Sequence, residues 1–235
     1  MLRLITWPDG LWGFVDINPV SGPKARSSGG NTAQDGTEQT FEGIGDLVAL
    51  ELVFSAKNGV TGARRQRGLV TALHSGANAM RLQFNDPDIM TPAEAGVSCP
   101  EEQNWSNGEP WSNGEGWAPT YPVVPVAAAA GFDTGIVRLA NEFWGHTLGY
   151  GDYLGFFPFH FGIYMVTEVI EPGQYRVWPR LRKALTAEDY ATLYPTLVMK
   201  AVGTTVAPPR DLVATGGSIT LVEVIDPYVR SDFTG

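Results

Sequence analysis

The chain is poor in the residues that build disulfide frameworks and zinc sites. Its 235 residues include one cysteine, Cys99, and three histidines, His74, His146 and His160. A single thiol excludes an internal disulfide framework and a cysteine-rich zinc site. No two of the histidines have the short spacing of a zinc motif, so we expect no metal site and no cofactor.

Charged residues are scarce, and the basic ones are in the minority. The chain has 16 Lys and Arg against 25 Asp and Glu, a net charge of −9, and charged residues make up 17% of it. An ordinary soluble domain has roughly 25%. Because tight binding to nucleic-acid phosphates needs a positive surface, we expect no tight nucleic-acid binding.

Long apolar runs are also missing. The two longest, residues 121–132 and 155–166, both contain proline and are too short to cross about 30 Å of hydrocarbon. The opening residues MLRLITWPDGLW lack the basic and apolar regions of a signal peptide. We therefore expect neither a secretion signal nor insertion into a membrane.

No motif for catalysis stands out, and we expect that the protein is not an enzyme. The chain has no Gly-x-Ser-x-Gly elbow and no phosphate-binding loop, and its acidic residues are scattered. The acidic stretch Asn85 to Asp88 could offer oxygen ligands to calcium, but its spacing favours a turn.

Glycine, proline and aromatic residues are abundant instead. The chain has 28 Gly and 17 Pro, with 11% aromatic and 43% hydrophobic residues. This composition favours many short strands joined by turns around a well-filled core. The expected fold class is mainly β, of the α+β kind.

The first half contains a clear unit of strand, helix and strand. In residues 46–56, Val48, Leu50, Leu52 and Phe54 alternate with more polar residues and predict one buried strand face. A helical pattern runs from Asn58-Gly59 through His74, and Gly76 is placed for a left-handed C-cap. Residues 79–84 alternate again and predict a second strand.

The second half predicts a small inserted domain. Five candidate strands are 136–139, 153–157, 163–169, 174–178 and 196–202, and residues 186–194 predict a helix capped by Thr186. Together they indicate a barrel-like β domain over residues 131–203. The strand predicted at 218–224 then returns to the β-rich host domain, which comprises residues 1–130 and 204–235.

Two segments lack any periodic pattern. Residues 22–36 are polar and rich in glycine, which favours a loop over an arm that orders on contact with a partner. The loop 98–125 contains a repeat, WSNGEP followed by WSNGEG, with Trp105, Trp111 and Trp117. These rings could anchor the loop on its own subunit, contact a neighbouring subunit or stack on sugars.

Two short stretches carry a resemblance to a known family. Residues 151–154 (GDYL) and 175–182 (YRVWPRLR), together with the order of the predicted elements, resemble distal tail or tail-adaptor proteins of long-tailed bacteriophages. The resemblance covers most of the chain. It implies a β-rich domain that lines a ring, a barrel-like insertion and a final returning strand.

The same resemblance implies a structural role in the virion. The expected protein is a homo-oligomeric ring subunit at the tail tip, assembled in the host cytoplasm, that joins the tail tube to the baseplate hub or fibres. Arg180 and Arg182 point the same way in an extended chain and could pair with carboxylates of their own or the next subunit. The alternatives are a carbohydrate-binding attachment module and a cell-wall hydrolase.

Overall fold

The computed structural model describes residues 4–6, 14–27, 40–42, 46–54, 57–58, 60–86, 88–96, 121–158, 160–203, 213–214 and 217–225. The chain divides into two compact units. One comprises Met1–Gln83 and Thr196–Gly235, and the other comprises Phe84–Pro195. The second unit is therefore an insertion in the first.

Most of the described strands are short, as the abundance of glycine and proline predicts, and β11 is the long exception among them. They are β1 (Leu4–Thr6), β2 (Phe14–Pro19), β3 (Ala25–Ser27), β4 (Thr40–Glu42), β5 (Ala49–Phe54), β6 (Lys57–Asn58), β7 (Ala79–Gln83), β8 (Val124–Pro125), β9 (Ile136–Arg138), β10 (Tyr153–Phe157), β11 (His160–Glu171), β12 (Gln174–Trp178), β13 (Tyr190–Thr192), β14 (Thr196–Ala201), β15 (Val213–Ala214) and β16 (Ser218–Glu223).

The first unit contains a six-stranded sheet in the order β1-β7-β14-β16-β5-β2. Its pairs are antiparallel except for β1 with β7. The predicted alternation in β5 is confirmed, because Val48, Leu50, Leu52 and Phe54 are all buried. The predicted return of the C-terminal strand is also confirmed, since β16 lies between β14 and β5.

One α-helix, α1 (Val60–Ala72), lies in the described part of this unit. Its apolar side includes the buried Val70, and the buried Leu73 follows directly, while Arg64 and Arg65 are exposed. A short 3-10 helix, His74–Gly76, follows. Gly76 has a φ of +93°, so the predicted left-handed end is confirmed.

The inserted unit is a small closed barrel. Six strands pair in the order β8-β13-β10-β11-β12-β9, and every pair is antiparallel. A bridge between Val126 and Leu139 then joins the two outer strands. Two backbone hydrogen bonds reinforce it, from Ala127 N–H to the Arg138 oxygen at 2.9 Å and from Ala140 N–H to the Pro125 oxygen at 3.0 Å.

The barrel interior is filled by alternate residues of its strands and by residues of the loops. The largest buried side chains of this core are Trp144, Tyr164, Tyr175, Leu154, Leu181, Leu185 and Leu193. Predicted strands 136–139, 153–157, 163–169 and 174–178 correspond to β9 to β12, and β10 and β12 have the predicted bounds.

The bounds of the insertion differ from those expected. The compact unit begins at Phe84 and ends at Pro195, whereas the sequence pattern indicated residues 131–203. Residues 196–201 form a strand, as predicted, but β14 pairs with β7 and β16 in the sheet of the first unit. The barrel has six strands because β8 and β13 join it in place of β14.

The predicted helix at 186–194 is wrong. Thr186 donates its N–H and its hydroxyl to Oδ2 of Asp189, at 2.7 and 3.0 Å, but this cap closes a single turn. The chain then enters β13, where Tyr190 is exposed and Ala191 is buried, and Leu193 directly after the strand is buried again. Burial at every second residue is typical of a strand, and pairing with β8 and β10 outweighs the local preference for a helix.

Two further pairs of strands complete the described structure. β3 pairs with β4, and β6 pairs with β15, both antiparallel. β3 lies within the predicted loop 22–36, so residues 25–27 are extended and paired. Residues 28–36 lie outside the described residues.

Candidate functional site

The antiparallel order of the barrel strands decides which loops meet at each end. β12 ends at Trp178, beside the beginning of β9, because Arg176 pairs with Ile136. Residues 179–185 and 130–135 therefore share one end. We call this the basic end, defined by Arg180, Arg182 and Lys183.

The other end of the barrel brings together different loops. Leu139 N–H, just beyond β9, donates to the oxygen of Gly173 in the turn between β11 and β12. Gly96 lies close to Phe143, in the loop that follows β9, since a Cβ placed on Gly96 would be 3.4 Å from Cα of Phe143. The segment that ends at Gly96 is therefore at this end of the barrel. Tyr121, directly before β8, has its ring centroid 5.8 Å from that of Tyr194. We call this the opposite end.

The basic end is held by backbone pairing beyond the strands. Leu181 N–H donates to the oxygen of Thr134 at 2.8 Å, and Asp133 N–H donates to the oxygen of Leu181 at 3.0 Å. Leu181 is buried in the barrel, while Arg180 before it is exposed and Arg182 after it is half-buried. This alternation places both arginines away from the core.

A buried hydroxyl fixes the backbone between these cations. The Tyr164 hydroxyl accepts a hydrogen bond from the N–H of Arg182 at 3.0 Å. It also lies 2.6 Å from Nε2 of His160. Both Tyr164 and His160 are buried.

The arginine contacts divide into two groups. On the barrel wall, Arg138 pairs with Glu171 at 3.8 Å and Arg176 pairs with Glu168 at 2.6 Å. At the basic end, Nη1 of Arg180 donates to the backbone oxygen of Asp133 at 3.4 Å. Pairing of Arg180 and Arg182 with carboxylates of their own or the next subunit stays a prediction.

Sequence reasoning missed two residues of the basic end. Lys183 is exposed and directly follows Arg182. Phe132 is 68% exposed, in the loop whose next residue pairs with Leu181. The run of three cations within residues 180–183 was a local signal for Lys183, but only the pairing of two distant segments brings the loop of Phe132 to the same end of the barrel.

The opposite end is braced by a second buried tyrosine. Tyr175 donates its hydroxyl to the oxygen of Gly145 at 3.0 Å and accepts from the N–H of Gly173 at 3.4 Å. Burial raises the pKa of this hydroxyl above its ordinary value, with hydrogen bonds to the backbone acting in the other direction. The ring is fully buried, so these bonds hold two loops against the core.

Acidic residues also gather in the inserted unit. Asp152 accepts from the N–H of Gly149 at 2.7 Å and closes the glycine turn before β10. Burial raises the pKa of Asp86, and the nearby charges of Asp88 and Asp152 raise it further. Asp88 N–H donates to Oδ1 of Asp86 at 3.0 Å, a turn of the kind that the sequence favoured for this stretch.

The three predicted contact residues Trp105, Trp111 and Trp117 lie outside the described residues, as does Cys99. Within the described ranges, no group of three or more His, Cys, Asp or Glu could hold a metal ion. The described helices are too short and too polar for any of them to span a bilayer.

The comparisons with known proteins add no family assignment. No protein-family model matches the sequence, and no curated protein matches it significantly.

Proposed function

We propose that the chain is a structural subunit of a bacteriophage tail tip, which forms a ring of identical copies between the tail tube and the baseplate hub or fibres. Its role is assembly, without catalysis and without a cofactor. The proposal begins from the resemblance of residues 151–154 and 175–182 to distal tail proteins.

The observation that supports the proposal most is the order of the elements along the chain. A barrel-like unit is inserted between β7 and β14, and β16 returns to the middle of the host sheet. This is the arrangement that the resemblance implies. The motif stretches also have structural roles, since Asp152 closes a turn and Leu181 pairs with the loop of Thr134.

Sheet edges offer a physical route to ring assembly. Among the described residues, β1 pairs with β7 alone and β2 pairs with β5 alone, so these two strands are the edges of the larger sheet as described. The barrel, in contrast, closes on itself through Val126 and Leu139. An open sheet can be extended by a neighbouring chain, whereas a closed barrel has no edge to extend.

The test is to measure the size and shape of the particles that the purified full chain forms. Native mass spectrometry over a range of concentrations is expected to give one closed oligomer, and negative-stain images are expected to give annular particles. A chain that stays monomeric even with its tail neighbours present would contradict the proposal.

The same preparation tests the two alternatives. Binding on a glycan array that is lost in Trp111→Ala, in a chain that stays monomeric, would favour a carbohydrate-binding module. Turnover of peptidoglycan by the purified chain would instead establish a cell-wall hydrolase. Neither outcome is expected from a ring subunit.

A further inference from the structure

The negative charge of the inserted unit is concentrated at one end of its barrel. The described residues of this unit contain ten Asp and Glu against five Lys and Arg. On the barrel wall, two arginines form ion pairs with two glutamates. At the basic end, the three cations are matched in number by three carboxylates, Asp133, Glu188 and Asp189. The excess negative charge therefore lies elsewhere.

The five remaining carboxylates lie at the opposite end, namely Asp86, Asp88, Glu94, Glu142 and Asp152. Glu94 is two residues before Gly96 and Glu142 directly precedes Phe143, so both flank the close approach of those two residues. Within the described part of the inserted unit, no further Lys or Arg is left to balance these charges. The sequence between Gly96 and residue 121 contains no Lys, Arg or His either.

The three aspartates of the opposite end act on one another. Burial raises the pKa of Asp86, and the charges of Asp88 and Asp152 raise it further. Burial also raises the pKa of the Tyr175 hydroxyl, which donates to Gly145 at this end, and the charge of Asp152 adds to that rise. A cationic partner at this end would reduce the repulsion between the carboxylates.

The opposite end also presents two exposed aromatic rings. Phe143 is 53% exposed and Tyr150 is 71% exposed. Phe143 follows the exposed Glu142, and Tyr150 lies in the glycine turn that Asp152 closes. Guanidinium groups pair with carboxylates and stack on aromatic faces. This end of the barrel therefore suits a partner surface that carries arginine.

Helix α1 of the first unit has the complementary chemistry. Its 13 residues include Arg64 and Arg65, both exposed, and no Asp or Glu. Among the described helices and strands, no other element presents two exposed cations without a carboxylate. Helix α1 thus offers guanidinium groups that the helix itself does not neutralise.

We propose that α1 of one copy docks on the opposite end of the barrel of the next copy, so that Arg64 and Arg65 meet its carboxylates and its exposed aromatic rings. The partner is a second copy of this chain. Because two different surfaces meet, the contact is head-to-tail, and it closes into a ring when the rotation between copies allows it. This inference rests on the ring assembly proposed above and names its contact.

The first experiment removes charge from each side of the contact in the full chain. Asp88 and Glu142 are chosen because both are exposed. In R64Q/R65Q and in D88N/E142Q, the concentration at which half of the chain is assembled is expected to rise about tenfold or more. The rise is expected to shrink at high salt, because salt screens the attraction in wild type.

Two matched controls change the same kinds of residue on the barrel wall. E168Q/E171Q removes two half-exposed carboxylates and is expected to assemble as wild type does. For the aromatic part of the contact, Phe143→Ala is expected to weaken assembly, whereas Tyr190→Ala, which removes a ring 40% exposed on β13, is expected to leave it unchanged.

A charge swap separates a contact between copies from one within a copy. R64E/R65E and D88K/E142K are each expected to assemble poorly alone, because like charges then face each other. Mixed together, they are expected to form particles in which the two variants alternate, visible by native mass spectrometry. Circular dichroism of each variant establishes that it is folded.

The outcomes distinguish the contact from the function. If wild type forms rings and both R64Q/R65Q and D88N/E142Q form them at the same concentration, the proposed contact is wrong and the ring function stands. If R64E/R65E/D88K/E142K assembles while the mixture of the two swapped variants does not, the contact is within one copy and the proposal is overturned. If wild type itself never oligomerises, the proposed function and the contact both fail.

Discussion

Arg182 and Tyr164 are joined by a hydrogen bond of 3.0 Å in which a backbone N–H donates to a fully buried phenolic oxygen. The same oxygen lies 2.6 Å from Nε2 of His160. The basic end is thus fixed from inside the barrel, and the positions of its cations depend on a core residue.

Tyr164→Phe removes the acceptor of the Arg182 N–H and the group bonded to His160. We expect the free energy of unfolding to fall by about 1–3 kcal/mol, because buried polar groups lose a partner. Urea unfolding measures this. Tyr150→Phe is the control, since Tyr150 is 71% exposed and its change is expected to cost less than about 0.5 kcal/mol. Equal effects for both variants would contradict the bracing role.

Gly68 within α1 and Gly76 at the end of the 3-10 helix are expected to respond to substitution in opposite ways. Gly76 has a φ of +93°, and a Cβ there would fall on the backbone oxygen of Ala201. Gly76→Ala is therefore expected to lower the melting temperature strongly. Gly68 is in α1 with open space around it, so Gly68→Ala is expected to stabilise the fold by about 0.5–1 kcal/mol. Thermal unfolding of both variants tests the assignment.

The raised pKa of Asp86 predicts how the stability of the fold depends on pH. Because burial and then the charges of Asp88 and Asp152 raise its pKa, the folded chain holds this proton more tightly than the unfolded chain. Its contribution to stability therefore declines as the pH rises from about 3.8 through the raised pKa, and it is unfavourable at pH 7.

The measurement compares Asp86→Asn with wild type across that range. The amide keeps the oxygen that accepts from Asp88 N–H and removes the charge. We expect the variant to be more stable at pH 7 by a few tenths of a kcal/mol, since solvent screens this half-buried site, and the difference to disappear below the ordinary pKa. If the variant is still more stable than wild type at pH 3, the stability difference has a cause other than the charge of Asp86.

Trp144 and Phe143 are neighbours with opposite surroundings. Trp144 is fully buried and its Nε1 donates to the oxygen of Pro122 at 2.6 Å, whereas Phe143 is 53% exposed. Trp144→Phe is expected to cost about 2–4 kcal/mol, from the lost volume and the lost hydrogen bond. Phe143→Ala is expected to cost much less. Denaturant unfolding of the two variants would show whether the loop of Trp144 belongs to the core.

Much of the secondary structure was predictable because burial is periodic along the chain. Val48, Leu50, Leu52 and Phe54 alternate in the sequence and are all buried in one strand face. The helical segment ends at Gly76 as expected, because glycine adopts a positive φ with little conformational strain. The fold class, mainly β with a barrel-like insertion, followed from such local signals.

The candidate site was predictable only in part. The sequence singled out Arg180 and Arg182, and the structure places them on either side of the buried Leu181. The loop of Phe132 reaches the same end through hydrogen bonds of Asp133 and Thr134 with Leu181, residues almost fifty positions apart, and no local pattern reports such pairing.

The sequence alone determined where several strands form, because β5, β12 and β16 bury every second side chain. Tertiary structure decided which strands pair. The pattern of residues 196–201 predicts a strand but does not say which sheet it joins. Hydrogen bonds to β7 and β16 place this strand in the sheet of the first unit, outside the barrel. Residues 190–192 become a strand because β8 and β10 offer pairing on both sides. The closure at Val126 and Leu139 likewise depends on hydrogen bonds between segments that local periodicity cannot relate.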